Sequence, residues 1–224
     1  MKVGVVLPTF RDDATEALAV AQLCEELALD GVFAYDHLWP MGSPTRPSLA
    51  PLPVLAAVAS RHSTLHVGPL VARVGMVSNA HLVGQLRTLA RVAPGRVIAA
   101  VGTGDAKSRD ELEGYGLTFA SADDRRRDVD EVTAALAGEM TVWVGAGAPA
   151  TNELAWARGI TLNVWGATPD AVATMAQRGP VTWAGPAEED VVRQLDALEA
   201  SGAHWAVFAP GGDLRALAHW RHRR

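Results

Sequence analysis

The chain has 224 residues, 49% of them hydrophobic and 20% charged, with a formal net charge of -5 at pH 7. That much apolar material builds a real core and excludes a disordered chain, while the acidic balance excludes a general nucleic-acid binder, which needs a basic face to displace counterions. The single cysteine, Cys24, excludes an intrachain disulfide and a thiolate metal cluster, and no apolar run reaches the length of a membrane span.

Residues 3–7 form the first apolar, β-branched run and end at Pro8. No long apolar stretch with a cleavage site precedes them, so a cytoplasmic protein is expected. Residues 14–29 place Ala17, Val20, Ala21, Cys24, Leu27 and Ala28 on one helical face. Asp30-Gly31 ends that helix, and 32–35 is the next strand. After a Pro-rich loop come a helix over 51–61, a third strand over 65–72, a helix over 81–92 and a strand over 97–101. The second half repeats the rhythm: helix 122–136, strand 141–144, helix 152–158, strand 161–165, helix 169–177, strand 181–183, helix 187–200, strand 205–209 and a last helix from about Asp213. Pro169 opens its helix at the position where a missing N–H costs nothing. The tail from Trp220 to Arg224 is basic and reads as a frayed, solvated end.

About eight strand-then-helix units, joined by connections too long for hairpins, span 1–224 as a single domain. The alternation implies a parallel sheet covered by helices, either an open doubly wound sheet or a closed barrel. The count favours a compact (β/α)8 TIM barrel, in which function gathers at the C-terminal ends of the strands.

Three segments after strands carry chemistry. Tyr35-Asp36-His37-Leu38-Trp39-Pro40 sets a carboxylate beside an imidazole, which suits proton transfer near neutral pH, and equally suits a loop cap beside a surface histidine. Gly102-Thr103-Gly104-Asp105 suits both a tight turn and close backbone approach to a ligand. Gly145-Ala146-Gly147-Ala148 precedes a helix start, a natural phosphate site. The histidines show no metal-ligand spacing except His219 with His222 in the basic tail, and no Gly-x-Ser-x-Gly elbow is present. No metal is expected.

Taken in order, these pieces resemble the luciferase-like monooxygenase superfamily, in particular its branch that uses the deazaflavin F420. The resemblance rests on the opening run Val3 to Pro8, on Asp30 to Pro40, on Gly68 to Leu82 continuing through Ala93-Pro94-Gly95-Arg96-Val97 to Asp105, and on Val142 to Ala148 with Leu154-Ala155. Gly185-Pro186-Ala187-Glu188-Glu189 leading to Gly202 adds a final match.

The resemblance implies a flavin- or deazaflavin-dependent oxidoreductase, with F420 as cofactor and FMN as second choice, that transfers a hydride to or from a small organic substrate. It implies His37 at the reactive edge as acid/base, with Asp36 supporting it and hydrogen-bonding the cofactor head. Leu70-Val71 matches the family's non-proline cis peptide behind the ring. Asn79 matches a cofactor-contacting polar residue; Thr103, Gly104 and Asp105 would line the ring and ribityl region; Gly145, Ala146 and Gly147 would give N–H groups to the phosphate, with Arg158 in reach. A homodimer through the helices at 51–61 and 81–92 is implied as well, and no nucleic-acid or membrane partner. The family's usual lid insertions are short here, around Gly138–Thr141 and Val181–Pro186. This leaves open a second reading, a flavin-binding protein without catalysis. A third, a metal hydrolase using Asp36 and His37, lacks further ligands.

Overall fold

The computed structural model describes residues 1–223. Nine parallel strands, β1 (Lys2–Val6), β2 (Gly31–Ala34), β3 (His66–Pro69), β4 (Ala72–Arg73), β5 (Ile98–Gly102), β6 (Thr141–Gly145), β7 (Thr161–Trp165), β8 (Val181–Gly185) and β9 (Trp205–Phe208), lie in the order β3-β2-β1-β9-β8-β7-β6-β5-β4. Their segments alternate with helices α1 (Thr15–Glu26), α2 (Pro51–Arg61), α3 (Asn79–Val92), α4 (Arg109–Gly114), α5 (Ala122–Leu136), α6 (Pro149–Ala157), α7 (Pro169–Ala176), α8 (Val191–Ala200) and α9 (Leu214–His222).

The expected third strand is divided. A cis peptide bond at Leu70-Val71 separates β3, which pairs with β2, from β4, which pairs with β5. The two halves occupy one strand position, and a bridge from Val67 to Val97 completes the ring. The result is an eight-position TIM barrel. Gly68 permits the closure: a Cβ there would sit 2.2 Å from the carbonyl oxygen of Ile98.

Two apolar layers follow from strand alternation. The barrel interior holds Val6, Phe33, Leu70, Ile98, Ala100, Trp143, Ala184, Trp205 and Val207. Phe33 stacks on Trp143 at 5.3 Å between ring centres, and Trp205 packs edge-on against both. The alternate residues, such as Val5, Val32, Val101, Val144 and Leu162, face the helices in the outer layer.

Several boundaries moved for local reasons. Helix α3 starts at Asn79 because the Ser78 hydroxyl caps it, accepting from the N–H of His81 at 3.3 Å. Helix α6 starts at Pro149, again with proline in the first turn. Helix α8 starts only at Val191, because the Gln194 side chain ties 186–188 into a loop, accepting from Glu188 N and donating to Pro186 O.

The basic tail is not frayed within the described residues. Trp220 is 1% exposed and donates to Asp196 at 2.7 Å. The Arg221 guanidinium reaches Asp30 at 2.7 and 3.1 Å, and His222 meets the carbonyl of Leu27. Arg224 lies outside the described residues. No described helix is long and apolar enough to cross a membrane.

Candidate functional site

The strand ends bring Asp36 and His37 beside Arg73 and Glu111. Glu111, on α4 and 1% exposed, is the hub. One of its oxygens meets His37 Nδ1 at 2.7 Å; the other accepts from Leu38 N at 3.0 Å and from an Arg73 Nη at 2.9 Å. A carboxylate surrounded by donors accepts, so Nδ1 carries the hydrogen and Nε2 is left as the ring nitrogen for a ligand. Asp36 accepts from the backbone N–H of Arg73 at 2.8 Å. Burial pushes the Asp36 carboxyl above its ordinary range, opposed in part by that hydrogen bond and by the charges of Arg73 and His37.

Beneath this polar group lies the Leu70-Val71 bulge. Val71 projects against two strand ends: a Cβ at Gly102 would fall 2.4 Å from Val71 Cγ2, and one at Gly145 would fall 3.3 Å from both Val71 methyls. To one side stands an aromatic wall. Phe10 stacks on Tyr35 at 5.7 Å, Tyr35 packs against Trp165 at 5.9 Å, and His37 lies edge-on to Phe10 and Tyr35. Trp165 is 54% exposed, a large apolar face that a planar ligand would cover.

Helix α4 also clamps the 36–40 segment sterically. Trp39 lies so close to Gly114 that a Cβ there would come within 2.6 Å of its ring, and Tyr115 packs on the same indole. Thr103 is fixed through its carbonyl by Arg125, whose guanidinium also lies 4.0 Å over the Phe119 ring. Gly104 adopts φ +65, and Asp105 caps the following 3-10 turn over Ala106–Ser108, accepting from Lys107 N and Ser108 N. That gives the Asp105 carboxylate a structural task at the turn.

Other expected contacts are not assembled. Asn79 spends its amide on helix α5, donating to Asp128 and Glu131 at 2.9 Å each, so it serves helix packing instead of the mouth. The loop after β6 does not present three free N–H groups. Gly145 lies opposite Asn163 in the β6–β7 register, Ala146 N donates to the carbonyl of Asn163 at 2.7 Å, and Gly147 N donates to the Asn152 side chain at 3.1 Å. Only the last is an exposed side-chain bond that a phosphate can replace. Arg158 pairs with Asp130 instead of turning to that loop. Among the described residues no cluster of His, Cys, Asp or Glu is arranged to hold a metal ion.

Glu111 and Arg73 were missed by sequence reasoning. Glu111 sits in a six-residue charged helix without apolar periodicity, and Arg73 in a two-residue strand behind the bulge. A lone arginine within an apolar strand run was the one available signal.

An apolar wall, a bulged floor and a charged edge thus meet at the C-terminal mouth of a parallel barrel, the end at which such barrels carry their ligand sites. The sequence profile of the luciferase-like monooxygenases matches residues 1–141, and the chain belongs to that family. It is 30% identical over 135 residues to an F420-dependent glucose-6-phosphate dehydrogenase of Microbacterium testaceum (strain StLB037); the match takes in 58% of this chain and 39% of that relative, well under half its length. Solved structures share the fold. An F420-dependent secondary alcohol dehydrogenase superimposes with a TM-score of 0.79 at 12% identity, over 97% of both chains. The F420-dependent tetrahydromethanopterin reductase of Methanopyrus kandleri gives 0.76 at 13% identity, over 100% of this chain and 99% of its own. A monooxygenase of Streptomyces bottropensis gives 0.74 at 15% identity, over 99% and 97%.

Proposed function

We propose that this chain is an oxidoreductase that holds F420, or FMN as second choice, at the mouth of the barrel and moves a hydride between it and a small organic substrate. The observation that carries the reading is the His37 imidazole tied through Nδ1 to buried Glu111 beside the Val71 bulge. The cofactor, when bound, supplies the hydride chemistry.

The protein's own work is positional and protonic. Val71 and Leu70 support one face of the ring, and Tyr35 and Trp165 exclude water from its edge. His37 Nε2 takes up or releases the proton that must accompany hydride transfer at a substrate oxygen, with the ring held in place by Glu111 at Nδ1. Asp36, biased by burial toward its protonated form, donates to or orients the head of the ring. Thr103 and Gly104 line the ring from the loop after β5, and Gly147 offers its N–H to the phosphate end once Asn152 swings away. A homodimer through α2 and α3 belongs to the same reading, and a sedimentation mass of one chain would count against it.

The test adds F420 and FMN separately to the purified protein and measures binding, then follows reduction of the bound cofactor by candidate donors. Binding of F420, with reduction lost in His37→Ala, is the expected result. Failure of both cofactors to bind refutes the proposal, and binding without turnover under any donor returns the non-catalytic reading.

A further inference from the structure

Arg73 carries a need that its surroundings do not meet. Its side chain is 5% exposed, yet only one terminal nitrogen has a partner, the Glu111 carboxylate. Nε and the other terminal nitrogen are buried without one. Three N–H hydrogens on a cation are thus removed from water unpaired, an arrangement that costs more than leaving neutral donors unmet.

The register shows which way the residue faces. Ala72 belongs to the outer layer behind the strands and pairs with Val101, which shares that layer. Arg73 is next, pairs with Gly102 and so takes the alternate, inner side at the last step of its strand. Its aliphatic stem runs beneath Gly104, where a Cβ would stand 3.5 Å from Arg73 Cδ and 3.2 Å from Ser108 Oγ. The guanidinium therefore lies at the barrel mouth, between the Val71 floor, the Gly104–Ser108 loop and the Asp36–His37 pair.

We propose that Arg73 is the receptor for an oxyanion conjugated to the planar ligand of this mouth, either a carboxylate or a ring oxygen bearing negative charge. The inference rests on the proposed use of the mouth for a planar ligand. A guanidinium suits this chemistry because its charge is permanent and its donors lie in the plane of the acceptor. The anion has two possible sources: a carboxylate on the substrate, or the ring of the reduced cofactor, where a nearby positive charge tunes the electronics.

Two measurements separate the sources. In the first, benzoate is titrated into the protein without cofactor, in wild type and in Arg73→Gln, by calorimetry. In the second, the midpoint potential of bound F420 or FMN is measured in the same pair. Arg73→Lys, which keeps a cation against Glu111, replaces Arg73→Gln if thermal melting shows that the latter does not fold. Benzoate binding weakened at least tenfold, with an unchanged potential, supports the proposal and assigns the anion to the substrate. A potential lowered by about 30 mV or more, the value of a tenfold selective loss of the reduced form in a two-electron couple, supports it and assigns the anion to the cofactor. Folded variants in which benzoate binding weakens less than tenfold and the potential falls by less than about 30 mV overturn it and leave water as the partner of Arg73. Failure of F420 and FMN to bind a wild type that still takes benzoate through Arg73 sinks the oxidoreductase reading alone.

Discussion

Replacing Gly102 with alanine tests whether Val71 is held where the site needs it. The added Cβ would lie 2.4 Å from Val71 Cγ2 and 3.5 Å from Val71 Cβ, with no other neighbour within 4 Å. Carbon atoms rest at about 3.5–4.0 Å, so the first contact overlaps by more than about 1 Å while the second is ordinary. Overpacking of this kind costs about 1–3 kcal/mol. A stiff β-branched partner and a strand backbone on the other side place Gly102→Ala near the upper end, about 2–3 kcal/mol. For a chain of this size that lowers Tm by about 4–12 °C. Truncating the partner, Val71→Ala, removes the overlapping methyl, so the double variant recovers most of the loss. The assay is urea unfolding of the four proteins of the cycle, with a coupling energy of about 1–3 kcal/mol expected. Strict additivity, or a double variant less stable than Gly102→Ala, refutes the packing described. Cofactor affinity should follow the same order, because the displaced side chain is the floor of the mouth.

Glu111→Gln keeps the shape of the hub but leaves Arg73 buried without its counter-ion, so unfolding in urea should show a loss of about 3–5 kcal/mol. In Asp36→Asn the sign follows from the raised carboxyl: the native state favours the protonated form, so its stabilising contribution is full below about pH 4 and declines as pH rises through the shifted value. The stability of Asp36→Asn relative to wild type should therefore increase from pH 4 toward neutrality, and a pH-independent difference would contradict the burial assigned to Asp36. Trp165→Ala should change stability by less than about 1 kcal/mol, since the indole is 54% exposed, yet weaken binding of a planar cofactor; unchanged affinity removes Trp165 from the wall. Arg158→Ala, which breaks only an exposed ion pair, should cost less than about 1 kcal/mol and leave cofactor affinity unaltered.

What the sequence discloses follows from the range of the forces involved. Helices α2 and α5 and strand β7 carry periodic apolar patterns, and their limits coincide with those expected. The approach of Asp36 and His37 to the mouth was legible because both follow an apolar strand run. The partner of His37 was not, since Glu111 is 74 residues away on a helix whose hydrophilic residues carry no pattern. The loop after β6 was legible only in part for a related reason: whether Ala146 N is free depends on the carbonyl of Asn163 in the neighbouring strand, and composition is silent on that. The tail was misjudged because its charges find Asp30 and the carbonyl of Leu27, early in the chain.

The order of the strands imposes a schedule on synthesis. Strand β1 pairs on one side with β2, available almost at once, but its other partner is β9, from the far end of the chain. Lys2 meets Trp205 only after about 200 further residues have been made, which takes roughly 10–40 s at ordinary elongation rates. Throughout that interval one edge of β1 offers unpaired backbone groups beside Val3, Val5 and Leu7, the kind of edge on which stray strands dock. The nascent chain carries that open edge until β9 emerges, and a barrel denied β9 leaves its first strand paired on one side only, with β2.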